Sequence, residues 1–301
     1  MNKIIIRTSE YIKLIRPWQW YKNLVIFLAI FFVGEFFHLL LLEKVLLGFI
    51  ALSLISSANY VMNDIIDKKK DKMHPEKKNR PLVSGKITLI EAWIIFIIII
   101  LSGLVLAYKL GTPFFISSLG LFIVTLLYSL FLKNEPIVDI LLISINFVIR
   151  AISGTFIIKV FISPWLILCP FFLALFLAAG KRDSDIRFLK NKDTMEKYKK
   201  VLKYYNKEII DGILIISATS IITAYSLYAL SKNTLLLITV PVIIYLILRY
   251  YFLINSGSEI ARHPERVITD WRMVIAFLIY IILIFIIFYF IETQFLSELI
   301  K

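Results

Sequence analysis

The sequence predicts an all-α polytopic membrane protein, with nine transmembrane helices in one bundle, a cytoplasmic amino terminus and a carboxyl terminus outside. Hydrophobic residues make up 59% of the 301 residues, and the mean hydropathy is +0.84. A soluble core could not bury this much apolar surface. Windows of about twenty mostly apolar residues, the length that crosses a bilayer's hydrocarbon core, also recur along the whole chain. We therefore expect lipid to be the main solvent.

The apolar windows define the predicted helices and the segments between them. The nine helices are predicted over 24–42, 44–62, 88–108, 114–132, 137–158, 163–180, 208–230, 234–254 and 272–291. No Gly/Ser/Pro-rich linker separates them, which predicts a single integral membrane domain over 1–301. Residues 1–23 form an amphipathic cytoplasmic segment. The stretches 63–87 and 181–207 form cytoplasmic loops that carry the candidate active site.

The distribution of Lys and Arg predicts the orientation. Cytoplasmic loops of membrane proteins carry an excess of these residues, and 28 of the 34 lie in alternate connections that include the amino-terminal segment. The amino terminus is therefore predicted to be cytoplasmic, in a multi-pass protein of the plasma membrane. The same distribution explains the net charge of +13 by topology and attraction to anionic lipid, without a nucleic-acid partner.

Three aspartates follow the second predicted helix. Asp64, Asp67 and Asp71 are spaced by three and then four residues, so a continued helix places all three on one face. Carboxylates with the neighbouring amide of Asn63 are hard oxygen ligands that suit Mg²⁺ bound to a diphosphate. A solvated helix end, with Lys68 paired to Asp64, explains the same spacing and stays open.

Cations follow the acids within a loop broken by two prolines. Lys77 and Arg80 lie just beyond Asp71, and carboxylates beside cations are typical of a phosphate site. The lysines also fit a role as topology markers. The chain has one cysteine, Cys169, so it cannot form an internal disulfide. Its three histidines are widely separated, and this spacing does not suggest a zinc or iron centre.

Arg150 lies inside the fifth predicted span, where an unpaired charge costs on the order of 3 kcal/mol. It should face an interior ligand, or a structural partner such as Asp139 or Asn146. Lys133 ends the fourth predicted helix, and Lys181 and Arg182 end the sixth. These cations are predicted to open toward the same cytoplasmic side as the acids.

These residues resemble the UbiA-type intramembrane prenyltransferase superfamily, and within it the polyprenyl-phosphate (decaprenyl-phosphate) phosphoribosyltransferase branch. The superfamily signature N-D-x-x-D-x-x-x-D is similar to Asn63 through Asp71. The chain resembles the narrower branch in three segments: Arg16 to Asn23, His74 to Pro81, and Tyr128-Ser129 with Lys133. Two further segments resemble the same branch, Phe147 to Gly154 and Gly180-Lys181-Arg182. As an alternative, the aromatic segment from Arg16 to Asn23 fits a membrane anchor.

The resemblance implies a Mg²⁺-dependent membrane glycosyltransferase. It would transfer 5-phosphoribose from phosphoribosyl diphosphate to a polyprenyl phosphate, releasing diphosphate, for synthesis of cell-envelope polysaccharide. Asp64, Asp67 and Asp71 would be the catalytic residues and metal ligands. The residues implied to bind substrate phosphates are Lys22, Asn63, Lys77, Arg80, Tyr128, Lys133, Arg150, Lys181 and Arg182.

One departure from the superfamily supports this branch. Aromatic prenyltransferases carry a second acidic motif after the sixth helix, whereas this chain has Arg187 where the last acid of that motif would stand. Two phosphate-bearing substrates also need extra cations. The alternative enzyme moves a prenyl group from a prenyl diphosphate to an aromatic or haem acceptor. A membrane transporter, with buried charges along its pathway, is the alternative of another class. The oligomeric state, a homo-oligomer included, is left open.

Overall fold

A computed structural model describes residues 2–72, 77–189 and 200–288, and these residues form helices connected by turns. Between Ile162 and Ser163 the chain divides into two compact units. In this described part, which is all-α, seven helical segments are long and apolar enough to cross a membrane, so the protein is multi-pass. Trp271–Ile286, within the last predicted span, is also apolar but shorter. Nine spans and the sidedness of the termini stay predictions.

The described residues of the first unit form six α-helices with 3₁₀ segments between them. Its helices are α1 (Asn2–Ile15), α2 (Leu28–Phe32), α3 (Leu39–Asp71), α4 (Leu89–Leu110), α5 (Thr112–Leu130) and α6 (Val138–Ile158). The 3₁₀ segments are Pro17–Phe27, Lys77–Asn79 and Leu132–Asn134. Helices α4, α5 and α6 begin and end within two residues of the predicted spans.

The single helix predicted over 24–42 is replaced by the end of Pro17–Phe27, by α2, and by a turn into α3. Gly34 causes the break, because it adopts a left-handed φ of 84°. The Gly34 amide donates to the Phe31 carbonyl and the Glu35 amide to the Ile30 carbonyl, at 3.2 and 3.1 Å. This pattern is the Schellman motif that ends a helix at glycine. Apolar content alone does not reveal such a turn.

Helix α3 positions the acidic residues. It is 33 residues long, or about 50 Å at 1.5 Å per residue, so it exceeds the roughly 30 Å hydrocarbon core of a bilayer. Its apolar part holds buried residues such as Leu52 and Ile55, and its last two turns carry Asp64, Asp67 and Asp71. The aspartates therefore project from a continuous helix and not from a flexible loop.

Helix α1 is fixed against the ends of α3 and α4. Leu14 is fully buried in a cluster with Val61, Leu82, Ile87 and Ala92. Glu10 accepts hydrogen bonds from Lys13 and Lys86 at 2.8 and 3.1 Å, and the hydrogen bond from Lys13 is the main reason that the pKa of Glu10 is lowered. Arg7 and Tyr11 both contact Glu91. The amino-terminal segment is thus packed, and its end is held near the acids of α3.

The described residues of the second unit form five α-helices. They are α7 (Pro164–Phe188), α8 (Lys207–Lys232), α9 (Val240–Asn255), α10 (Glu259–Arg262) and α11 (Trp271–Ile286). The 3₁₀ segments are Lys200–Tyr204, Thr234–Thr239 and Pro264–Thr269. Its core is built from Phe176, Leu214 and Tyr250 with their neighbours. Close packing of α7 and α9 depends on Gly180, because a Cβ there would lie 2.6 Å from Ile254 Cδ1.

Candidate active site

Two of the three aspartates are almost completely buried at the end of α3. Asp64 and Asp71 are each 1% exposed, whereas Asp67 is half-buried. A buried carboxylate needs a charge partner or several hydrogen bonds to remain ionised. The neighbouring segments of the first unit supply such partners.

Arg80 bridges two of the aspartates. Its Nη1 atom donates to Asp64 Oδ1 at 2.9 Å and to Asp71 Oδ2 at 2.6 Å. The turn Lys77–Asn79 positions it, with the Arg80 amide donating to the Lys77 carbonyl at 3.0 Å. Lys77 Nζ lies 3.7 Å from Asp71 Oδ1, and burial is the first cause that lowers the pKa of Lys77. The loop after α3 therefore folds its cations back onto the acids.

A second guanidinium reaches Asp64 from the amino-terminal segment. Arg16 Nη2 lies 2.5 Å from Asp64 Oδ1, and the guanidinium lies over the Tyr60 ring at 5.3 Å. Arg16 has a left-handed backbone, with φ 57° and ψ 59°, which ends α1 and begins the 3₁₀ segment. This conformation is uncommon for a residue other than glycine. Arg16 is not among the predicted phosphate ligands, although its place before Pro17 in the Arg16–Asn23 motif is a signal in the sequence.

Asp67 is paired with the cation after α5. Lys133 Nζ donates to both carboxylate oxygens of Asp67, at 2.7 and 2.8 Å. Lys133 lies in the 3₁₀ segment Leu132–Asn134 that follows the turn at the end of α5. The predicted convergence of Lys133 with the acids is thus present. The described ion pairs of Asp64 are with Arg16 and Arg80, so the alternative pair of Asp64 with Lys68 is not the arrangement observed.

Arg150 lies deeper in the first unit and is only 8% exposed. Its Nε donates to Asn23 Oδ1 at 2.8 Å and its Nη1 to the carbonyl of Asn146 at 3.1 Å. Asn23 in turn donates to Ser53 Oγ at 3.1 Å. The predicted interior location is correct. The contact with Asn146 is through its main chain, and Asn23 is a partner that the sequence does not predict.

The remaining predicted phosphate ligands of the first unit are Lys22, Asn63 and Tyr128. All three are half-buried, and Lys22 Nζ lies over the Tyr21 ring at 5.8 Å. Asn63 immediately precedes Asp64 on α3, and Tyr128 lies near the end of α5. His74, part of the similar motif from His74 to Pro81, lies outside the described residues.

Lys181 and Arg182 lie in the second unit, at the end of α7. Lys181 is exposed, whereas Arg182 is 5% exposed and its Nη1 lies 3.7 Å from Asp185 Oδ2. Arg187 Nε lies 2.6 Å from Asp183 Oδ2. Arg187 therefore neutralises the charge of Asp183 on the same helix. It does so at the position where the superfamily's second motif would have an acid.

Comparison with known proteins assigns this arrangement to a family. Residues 23–264 match the sequence profile of the UbiA prenyltransferase family. The chain belongs to this family. It is 31% identical over 229 residues to decaprenyl-phosphate phosphoribosyltransferase of Mycolicibacterium smegmatis, covering 75% of this chain and 71% of the relative. Identity to the protein of the same name from Mycobacterium tuberculosis is 29% over 226 residues, covering 74% of each. The resemblance predicted from the motifs is confirmed.

Solved structures show the same fold. A UbiA homolog from Archaeoglobus fulgidus, solved with DMAPP and Mg²⁺, matches with a TM-score of 0.71 at 22% identity, over 93% of this chain and 99% of the homolog. The chain is therefore a multi-pass membrane transferase of UbiA fold.

The acids fit a divalent cation by donor chemistry, although they are not preassembled around one. Among the described residues, no three acidic, histidine or cysteine side chains are grouped as a metal site. Asp64 Oδ2 is nevertheless buried and has no hydrogen-bond partner in the part of the chain described. An oxygen that is buried without a partner is costly, and a ligand or ion commonly explains it. Carboxylate oxygens are also the ligands that Mg²⁺ prefers.

Proposed function

We propose that this protein transfers a 5-phosphoribosyl group from phosphoribosyl diphosphate to a polyprenyl phosphate and releases diphosphate. The bond from C1 of ribose to the diphosphate oxygen breaks, and a bond from C1 to the lipid phosphate oxygen forms. The product, a polyprenyl-phosphate phosphoribose, would serve synthesis of envelope polysaccharide. The proposal is supported by two relatives at about 30% identity that are named decaprenyl-phosphate phosphoribosyltransferase.

The observation that carries the proposal is the number of cations around the acids. Arg16, Lys77, Arg80 and Lys133 all lie within 4 Å of a carboxylate of Asp64, Asp67 or Asp71. A prenyl donor carries one diphosphate. Phosphoribosyl diphosphate adds a 5-phosphate, and its acceptor adds a lipid phosphate. Arg and Lys bind such groups through charge-assisted hydrogen bonds, so a cation-rich site favours the substrate pair with more phosphates.

Asp64, Asp67 and Asp71 are the residues that would hold a divalent cation. A divalent cation bound there would neutralise the negative charge that develops on the leaving diphosphate. Arg80 and Lys77, on the loop after α3, would bind the same group, while Lys133 and Arg150 would bind the 5-phosphate or the lipid phosphate. Because the attacking lipid phosphate is already an anion at neutral pH, no general base is required, and positioning with electrostatic stabilisation suffices.

Other residues proposed to contact substrate phosphates are Lys22, Asn63 and Tyr128, and also Lys181 and Arg182 at the end of α7. Arg182→Ala should raise the KM for phosphoribosyl diphosphate more than the KM for lipid phosphate if Arg182 holds the sugar phosphate. An unchanged donor KM would reassign it.

The deciding experiment offers the purified protein two pairs of substrates with Mg²⁺. One reaction contains polyprenyl phosphate and phosphoribosyl diphosphate, and the other contains a prenyl diphosphate and an aromatic acceptor. We expect diphosphate release and a lipid whose mass has increased by one phosphoribosyl group in the first reaction only. Product in the second reaction alone would establish the prenyl-transfer alternative. A lack of diphosphate release in both would leave the transporter alternative.

Asp64→Asn is the matched variant for this experiment, since it keeps the size of the side chain and removes its charge. We expect it to abolish turnover while the protein inserts and purifies normally. Asp211→Asn is the control, because Asp211 is paired with Lys207 on α8 in the second unit. Full activity of the Asp64→Asn protein would remove the proposed chemistry.

The proposed topology has nine spans, a cytoplasmic amino terminus and active site, and an outside carboxyl terminus. It is tested by fusing a reporter active only in the cytoplasm to either end of the chain. We expect signal from the amino-terminal fusion alone. Signal from both fusions would indicate an even number of spans.

A further inference from the structure

The aspartates of α3 are already neutralised by cations of the protein itself. Asp64 contacts Arg16 and Arg80, Asp71 contacts Arg80 and Lys77, and Asp67 contacts Lys133. In the described contacts, four cationic side chains therefore serve three carboxylates. A divalent cation that entered alone would add two positive charges to a largely buried cluster without net negative charge. Buried charge of one sign is unfavourable unless it is compensated.

Arg80 differs from the other cations in how it contacts the acids. One nitrogen atom, Nη1, lies within hydrogen-bonding distance of both Asp64 Oδ1 and Asp71 Oδ2. These residues are two helical turns apart, so this nitrogen lies where the two carboxylates converge. A metal ion bound by both would have to occupy the same place.

Arg80 also belongs to a different element from the acids. The acids belong to the long helix α3, whereas Arg80 follows the short turn Lys77–Asn79. Its side chain is 22% exposed, compared with 1% for that of Asp64. The guanidinium can therefore leave the carboxylates by a change in its own side chain and loop, with α3 unchanged.

We propose that Arg80 is an exchangeable counter-cation. In the ligand-free protein it holds Asp64 and Asp71 together, and it transfers to the donor diphosphate when diphosphate and divalent cation enter as a pair. The inference rests on the proposed function, because it assumes a diphosphate donor at this site. The metal and the diphosphate would then bind with strong positive coupling, and Arg80 would be the residue that causes this coupling.

The coupling follows from charge. The diphosphate offers Arg80 a new anionic partner, and the freed carboxylates then offer the metal their oxygens. The diphosphate thus draws Arg80 away from the carboxylates that the metal needs, and the metal takes the place of Arg80 as the partner of those carboxylates. Since coupling between two ligands is reciprocal, either ligand should tighten the binding of the other by the same factor. Typical coupling factors are about 5- to 150-fold.

The test measures Mn²⁺ binding to the purified full chain by equilibrium dialysis, with Mn²⁺ alone and with inorganic diphosphate. Wild-type protein should bind Mn²⁺ at least about tenfold more tightly when inorganic diphosphate is present. Arg80→Gln should bind Mn²⁺ alone about tenfold more tightly than the wild type, and the gain from diphosphate should largely disappear. An unchanged or weaker affinity of Arg80→Gln for Mn²⁺ alone would overturn the proposal.

Lys78→Gln is the matched control, since Lys78 is an exposed cation of the same turn. It removes the same charge and should leave both affinities within about twofold of the wild type. Equal tightening in the two variants would mean that net charge alone is responsible, which contradicts a specific role of Arg80. If the Arg80→Gln protein does not purify folded, the wild-type measurement decides, and a gain below about fivefold from diphosphate overturns the proposal.

Failure of this inference is distinguishable from failure of the proposed function. The titrations contain only Mn²⁺ and inorganic diphosphate, so they do not depend on a phosphoribosyl group. A chain that shows the coupling but makes no phosphoribosyl lipid would keep Arg80 in this role at the site of another diphosphate donor.

Discussion

Arg150 Nε donates to Asn23 Oδ1 across 2.8 Å, joining two residues that are 127 positions apart in the chain. Ser56 Oγ also lies 3.4 Å from the same oxygen, and Asn23 Nδ2 donates to Ser53 Oγ. A buried guanidinium in an apolar unit is stable only if its hydrogens find acceptors. Asn23 thus positions Arg150, and through it the proposed phosphate contacts of α6.

Asn23→Leu should lower the free energy of unfolding by about 1–3 kcal/mol, because it leaves a buried charged donor without its acceptor. The loss would be visible as a lower Tm in detergent. In the double variant with Arg150→Met, the donor is removed too, so the combined loss should be smaller than the sum of the single losses. Asn79→Leu, at an exposed position, is the control. Strict additivity of the two changes would show that the hydrogen bond contributes nothing.

Gly154→Ala should destabilise the first unit by about 1–3 kcal/mol, the usual cost of overpacking. A Cβ at Gly154 would clash with the Ile26 carbonyl oxygen and lie 3.1 Å from Ala29 Cβ. Gly120→Ala on α5 is the matched control, since a Cβ there meets nothing within 4 Å. Alanine is favoured over glycine in a helix by roughly 0.5–1 kcal/mol, so the control should raise the Tm. Equal Tm values for the two variants would refute the close packing of α6 on Ile26.

Lys133→Met should reduce kcat/KM for the proposed reaction by about tenfold or more, because a charge-assisted hydrogen bond to a substrate phosphate, the role proposed for Lys133, is worth about 1.5–3 kcal/mol. Lys133→Arg should recover part of the loss, since it restores the charge. Lys109→Met, at an exposed position near the end of α4, should keep wild-type kinetics. Wild-type kinetics in the Lys133→Met protein would mean that the pair with Asp67 is only structural.

Asp270→Asn should reduce stability in a manner that depends on pH. Arg249 Nη2 lies 2.6 Å from Asp270 Oδ2, and this hydrogen bond is the main cause that lowers the pKa of Asp270. A carboxyl with a lowered folded-state pKa stabilises the protein above its unfolded pKa of about 3.9, and the stabilisation is lost as the pH falls through the folded-state pKa. The Tm difference between wild type and variant should therefore be largest near neutral pH and disappear in acid.

Asparagine is a suitable replacement in that test because it keeps the helix cap. Asp270 Oδ1 accepts from the Met273 amide at 2.9 Å at the start of α11, and asparagine caps helices about as well as aspartate. The variant therefore isolates the charge. A Tm difference that stays constant from neutral to acidic pH would assign the effect to packing and not to the ion pair.

Local patterns predicted much of this molecule. The spacing of Asp64, Asp67 and Asp71 placed them on one helix, and α3 is continuous through all three. Hydrophobic runs located α4, α5 and α6, because a helix that faces lipid must be apolar over its full length. The interior position of Arg150 followed from the cost of a charge in an apolar span.

What sequence could not predict depends on contacts between distant segments. The left-handed Arg16 reaches Asp64 across 48 positions, and Asn23 reaches Arg150 across 127. Neither pair has a local spacing that would indicate it. The break at Gly34 was missed for a different reason, since the apolar residues on both sides of one glycine also fit an unbroken helix.

The acids share one rigid helix, whereas their cationic partners come from three separate connections: the α1 junction, the loop after α3, and the turn after α5. A substitution of Arg16 or Lys133 changes the charge beside one aspartate, and a substitution of Arg80 changes it beside two, while the acids stay on the same helix. The charge around each acid can therefore be altered through single residues of the connections, which offers a practical route to redesigning the ligand preference of this site.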